Sequence, residues 1–183
     1  MHGFLEWLDA TPWSIALLES YWMWPLIEST HVLTLGLFVG TAAFNDFRLL
    51  GWTMKSVPVS EVTGRILPWT RASFVVMAIT GLLIFYSDPV RYYHNIFFRF
   101  KVLLLVLAGL NAFWFHRRIH RSVEEWDHLE VLPRAARRAG AMSLIAWALI
   151  VISGRLVAYS WFNCDLGPPA WFDWAQGCSI WIQ

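Results

Sequence analysis

Four stretches of this chain are each about twenty residues long and almost wholly apolar, and that feature limits the fold more than any other. A helix rises about 1.5 Å per residue, so roughly 20 apolar residues carry it across about 30 Å of hydrocarbon. The stretches run from Trp24 to Phe47, Ala72 to Val90, Ile96 to Phe115 and Gly140 to Trp161, and each is long enough. They are continuous in Leu, Ala and Val rather than alternating, which excludes a membrane barrel of short strands. Charged residues make up 15% of the chain, against about a quarter in soluble domains. A soluble enzyme and a disordered chain are thereby excluded, and a formal net charge of +1 excludes a nucleic-acid binder. The fold expected is all-α, a polytopic membrane four-helix bundle forming a single membrane domain. Residues 1–21 form an interfacial segment, 22–161 the four helices and 162–183 a tail.

Orientation follows from the Lys and Arg of the connecting loops, which favour the cytoplasmic side. Arg48, Lys55, Arg65 and Arg71 lie between the first two helices, and Arg117, Arg118, Arg121, Arg134, Arg137 and Arg138 between the last two. The turn between helices 2 and 3 has only Arg91, Arg99 and Lys101 around it, and neither terminal segment has a Lys or Arg. Both termini are therefore expected on the outer, periplasmic side of a bacterial inner (plasma) membrane. Without a basic start the N-terminus does not read as a cleavable signal, so the first helix is expected to direct insertion. Gly3 to Leu8 and Pro12 to Glu19 read as short interfacial helices, with Trp7 and Trp13 at headgroup depth. Ser60 and Glu61, followed by Val62, Ile66 and Leu67, suggest a short amphipathic helix ending before Pro68. Arg117 to Leu132 read as an extension of the third helix, broken at Pro133.

An oxidising periplasm lets a disulfide persist, and Cys164 and Cys178 both fall in the outward tail. They are expected to pair and close that tail, a constraint worth roughly 3 kcal/mol in the chain-entropy account. Trp171, Phe172, Trp174 and Trp181 lie in the same segment, beyond the last apolar stretch. They read either as a cap on the bundle or as the centre of a docking surface for a periplasmic protein.

Polar residues inside the apolar stretches carry most of the chemical information, because an ionisable group in hydrocarbon is costly and rarely kept without a partner. His31, Thr34, Phe38, Thr41, Asn45 and Arg48 recur at spacings of three and four and form one stripe, with Glu28 a turn before His31. Gly36 and Gly40 lie on roughly the opposite face, where a neighbouring helix is expected to approach closely. Arg155 in the last helix falls at about the depth of His31, so Glu28, His31 and Arg155 are expected to meet near the outer face. One reading of this cluster is a Glu28 to Arg155 ion pair used for packing. A second is a haem b site, with His31 and His94 as axial ligands to the iron and Arg155, Arg91 and Arg99 on the propionates. A third is a quinone head-group site, where the histidine and carboxylate exchange protons and Tyr92, Tyr93 and Tyr159 stand nearby.

Several segments together resemble a known group: Glu28 to Leu33 (EST-HVL), Asn45 to Gly51, Thr80 to Phe85, Phe98 to Lys101 and Gly154 to Tyr159. They look like an uncharacterised family of bacterial four-helix inner-membrane proteins, over roughly residues 20 to 160. That family is distantly similar to the cytochrome b561 and copper-resistance-D type bundles. The resemblance implies the four-helix fold and an electron-transfer setting. The function expected is a membrane electron-transfer or quinone-interacting subunit, b-type cytochrome-like, working with other membrane subunits or a periplasmic redox protein. The alternative is a cofactor-free accessory or scaffold subunit of a larger membrane complex. Enzymatic turnover by the chain alone is not expected, since no nucleophile or metal motif is present.

Overall fold

A computed structural model of the protein describes residues 2–127, 129 and 131–159. The described residues form eight α-helices in the order α1 (His2–Asp9), α2 (Pro12–Leu18), α3 (Met23–Leu50), α4 (Val59–Ser87), α5 (Pro89–Tyr93), α6 (Ile96–Trp114), α7 (Val123–Trp126) and α8 (Arg134–Val157). Four of them, α3, α4, α6 with the turn that follows it, and α8, are long and apolar enough to cross a membrane. Their outward faces carry exposed Leu33, Leu82, Leu103, Leu110 and Ile145, which suits a lipid bilayer rather than water. Cys164, Cys178 and the Trp-rich tail lie outside the described residues.

Two of the four long helices start earlier than their apolar stretches indicate. Helix α4 begins at Val59 rather than Ala72, and α8 at Arg134 rather than Gly140. Their first turns bury Val59 and Ala136 completely, in a core shared with Leu49, Ile119, Val123, Trp126, Leu132 and Ala139. This second core rewards helix formation where mean hydropathy is low. As a result Arg65, Arg71, Arg134, Arg137 and Arg138 stand on helices, not in loops. Pro68 does not end a helix but sits inside α4, where packing along the helix outweighs the one backbone bond it forfeits. The expected extension of the third helix is present only as far as Trp126 and is not a regular α-helix. After Trp114 the chain passes through a π-helical turn, Phe115–Ile119, and a 3-10 turn into the short α7, where Trp126 Nε1 donates to the Ile119 carbonyl at 3.3 Å.

Helix α3 packs along α4 and α8, and α6 packs along α8, whereas α4 and α6 scarcely touch. The bundle is therefore an arc, α4–α3–α8–α6, with a cleft between its two outer members. Phe38 is the joint: its ring lies 5.3 Å from Phe74 of α4 and 4.6 Å, edge to face, from Trp147 of α8. Leu104, Ala108 and Ile150 form the α6–α8 seam. Gly36 and Gly40 face no neighbour among the described residues, since a side-chain carbon at either would meet nothing within 4 Å; α4 and α8 instead occupy the face that carries Phe38.

The ends of the bundle differ in character. At one, which we call the terminal end, α1 and α2 dock on α4 and α5 much as their sequence suggests. Thr11 Oγ1 and the Tyr86 hydroxyl are 2.6 Å apart, and buried Ser14 donates to the Tyr86 carbonyl at 2.9 Å. Trp7 and Trp13 stay exposed. At the other, the arginine end, Gly51 takes the left-handed conformation (φ 74°) that closes α3, and its N–H bonds back to the Arg48 carbonyl. Arg48 itself is only 2% exposed. Its Nε donates to the Val57 carbonyl at 2.8 Å, and its charge acts on the equally buried Asp127, which accepts from Ser60. This network ties the end of α3 to α4 and α7. Arg48→Ala removes the charge that compensates Asp127 and should cost on the order of 3 kcal/mol, read as a lower unfolding midpoint in detergent; an unchanged midpoint would show that the network is dispensable.

Candidate functional site

The cleft between α4 and α6 encloses a cavity of about 1140 Å³, slightly above the roughly 300–1,000 Å³ of ordinary ligand sites. Its walls are chiefly apolar, with Leu35, Phe38, Phe74, Leu105 and Ile150 among them. Polar side chains gather toward its two ends. Near the terminal end stand His31, Arg99 and Lys101, and near the arginine end Asn45, Asp46, Asn111 and Ser143. Asp46 is the one carboxylate among the described residues that line it. At the terminal end the cleft is bridged by aromatic rings: Phe85 of α4 stacks on Phe98 of α6 at 5.4 Å, and Tyr92 of α5 lies 5.5 Å from Phe98.

His31 is held on α4, not beside Glu28 or Arg155. Its Nδ1 lies 3.0 Å from the Met77 carbonyl and 3.1 Å from Thr80 Oγ1. A carbonyl only accepts, and the Thr80 hydroxyl is already placed to donate to the Val76 carbonyl at 2.8 Å. Nδ1 is therefore the protonated nitrogen of the neutral ring, which leaves Nε2 as an acceptor on a side chain that lines the cavity. Gly81 makes this seat possible: a Cβ there would stand 3.1 Å from the imidazole Cε1.

Lys101 lines the same cavity, and its charge acts on the imidazole. Its stem and Nζ run against Gly154 of α8, where a Cβ would lie 3.4 Å from Nζ. The ammonium has no hydrogen-bond or ion-pair partner among the described residues. A half-buried ammonium of this kind, on an apolar wall inside a membrane-spanning helix, presents donors to whatever enters the cavity.

The other residues singled out from the sequence divide clearly. Arg99 lines the cavity, with its Nε donating to the Tyr93 carbonyl at 2.7 Å and its guanidinium 4.6 Å from the Tyr93 ring. Arg155 does not line it. Successive residues on a helix point about 100° apart, so α8 turns Ser153 and Gly154 inward and Arg155 outward, where it donates to the Tyr159 hydroxyl at 2.8 Å. Glu28 is exposed on the first turns of α3, and Arg91 pairs with Asp88 at 3.8 Å on the surface. His94 caps the C-terminus of α5, its ring set against Tyr93, and is not part of the cavity wall. His116 does line the cavity, but it follows α6 about 20 residues from Ile96 while His31 lies eight residues into α3, a difference in depth on the order of 18 Å. No second histidine among the described residues thus faces His31 across the cleft, and a bis-histidine haem b does not fit His31 with His94. Sequence reasoning missed Lys101 and Asp46. Both were readable as ionisable residues within apolar stretches, Lys101 only a few residues past Ile96.

The chain belongs to a family of unknown function, DUF6644, whose model matches residues 21–160. The match covers all four long helices and both ends of the cavity. No curated protein and no solved structure matches the chain.

Because the His31 seat depends on the missing side chain of Gly81, Gly81→Val should push the ring off the Met77 carbonyl and destabilise the fold by about 1–3 kcal/mol. Thermal unfolding in lipid nanodiscs measures this, with Gly36→Val as the control expected to change little; equal effects at the two positions would contradict the assignment.

Proposed function

We propose that this protein is a quinone-interacting subunit of a membrane electron-transfer system, with the quinone ring at His31 and Lys101 and its apolar tail leaving through the cleft between α4 and α6. One arrangement carries the reading: an imidazole with an acceptor nitrogen and an ammonium without a partner among the described residues both line the terminal end of a large apolar cavity. A quinone carbonyl accepts a hydrogen bond from Lys101 Nζ, and the ammonium steadies the negative charge that grows on that oxygen as electrons arrive. A quinol hydroxyl donates to His31 Nε2, so the pair serves both redox forms of the head group. The resemblance of the sequence to cytochrome b561 and copper-resistance-D type bundles supports a redox setting.

In a bacterial inner membrane, the Lys and Arg count favours the arginine end in the cytoplasm, so the head group would sit near the periplasmic face. Electrons would then pass to or from a redox protein docked on that face, or another membrane subunit. A cofactor-free accessory subunit is the second reading, favoured by the face of Gly36 and Gly40, which none of the described helices covers.

Trp147 lines the cavity, so its fluorescence reports occupancy. A short-chain ubiquinone titrated into the nanodisc-embedded protein should quench it saturably. Lys101→Met and His31→Ala should each weaken binding at least tenfold, the worth of a lost hydrogen bond to a charged or buried partner. Arg155→Ala should leave it unchanged. Quenching that does not saturate, or that is the same in all variants, would remove the quinone reading and favour the accessory subunit.

A further inference from the structure

We propose that Asp46 is a proton-exchange site at the arginine end of the cleft. The inference is independent of the head-group reading, since Asp46 follows His31 by 15 residues on α3, on the order of 22 Å along the helix. Asp46 is 5% exposed and lines the cavity. Its carboxyl takes a hydrogen bond from Ser143 of α8, yet its Oδ2 has no partner among the described residues. Buried polar atoms are almost always satisfied, and an orphan oxygen on a cavity wall points to something the cavity supplies.

All four long helices contribute to the collar around it. Gly140 lets α8 approach until a Cβ there would be 3.2 Å from the Asp46 carbonyl, and this close approach presents Ser143 one turn later. Asn111 of α6 donates to the Ala139 carbonyl at 3.0 Å, and Thr63 of α4 donates to Asn45 Oδ1 at 2.8 Å. The charged and titratable groups facing this cavity besides Asp46 are Arg71 from α4, Tyr93 from α5, Lys101 and Arg99 from α6, His116 from the turn after it, and His31 from α3; α8 offers none. Arg48, on the same helix as Asp46, is turned to the Val57 carbonyl.

A metal ion is a poor match for this collar. No group of three His, Cys, Asp or Glu suited to a metal occurs among the described residues, and this end of the bundle is rich in Lys and Arg. A proton needs only the one carboxylate. With the proton on Oδ2 the group is neutral and becomes a donor into the cavity. On release, the O–H bond breaks, its electron pair stays on the carboxylate, and a cavity water takes up the proton as hydronium. Ser143 donates to the carboxylate and so steadies the ionised form.

Infrared difference spectra of the full chain in lipid nanodiscs, recorded between acidic and alkaline pH, test this directly. One component of the carboxyl carbonyl-stretch signal that is lost as pH rises should be missing in the Asp46→Asn minus wild-type double difference, restored in Asp46→Glu and displaced in Ser143→Ala. A double difference in which Asp46→Asn removes no titrating component would overturn the proposal. Should Asp46→Asn fail to fold, Ser143→Ala decides: a displaced band supports the site and an unmoved one overturns it. A gain in thermal stability with sodium that needs Asp46, with no titrating band, would also overturn it, in favour of a metal cation.

Discussion

The joint at Phe38 sets the shape of this protein. By packing one ring against both Phe74 and Trp147, it makes α3 and α8 the spine of the bundle and leaves α4 and α6 as outer members that barely meet. A closed four-helix bundle would fill its centre with side chains. The open arc leaves a cavity instead, bridged by rings only at the terminal end. Each later feature, from the seat of His31 to the exposure of Lys101 toward the interior, depends on α4 and α6 staying apart.

Two glycines turn that opening into a site. Gly81 admits the imidazole against the backbone of α4, and Gly154 gives the Lys101 stem room against α8. Without them the two side chains would be displaced from the helices that hold them. The polar groups then differ in how they are satisfied. Thr34 and Thr41 donate to carbonyls of their own helix, Arg48 is absorbed by the loop and Asp127, and His31 is half satisfied by Met77. Lys101 and the Asp46 Oδ2 have no partner among the described residues. In hydrocarbon, that imbalance separates groups kept for folding from groups kept for a ligand.

Much of the fold was legible in the sequence, and much less of the site. Length and apolarity identified four crossings, and Gly3 to Leu8 and Pro12 to Glu19 read as short helices and match α1 and α2. Helix starts were misjudged at Val59 and Arg134 because only a few residues of their first turns, Val59 and Ala136 among them, are buried, and mean hydropathy does not register so narrow a face. His31 and Arg99 were found because a charge or imidazole in an apolar stretch stands out. Arg155 stands out equally, yet points outward, since depth along a helix says nothing about the neighbour its face will meet. Lys101 was read as a cation of the outer turn, when its helix had already begun at Ile96. Asp46 was hidden beside Asn45, and only the close approach of α8 at Gly140 shows that it is buried.

Nitrogen-15 NMR of histidine-labelled protein in nanodiscs, assigned with His31→Ala and titrated with a short-chain ubiquinone, tests the central claim most directly. The arrangement predicts that His31 carries its proton on Nδ1, and that the quinone form, or its quinol after reduction, shifts the Nε2 resonance saturably while Nδ1 stays protonated. A His31 ring protonated on Nε2 alone, or one indifferent to both forms, would contradict it.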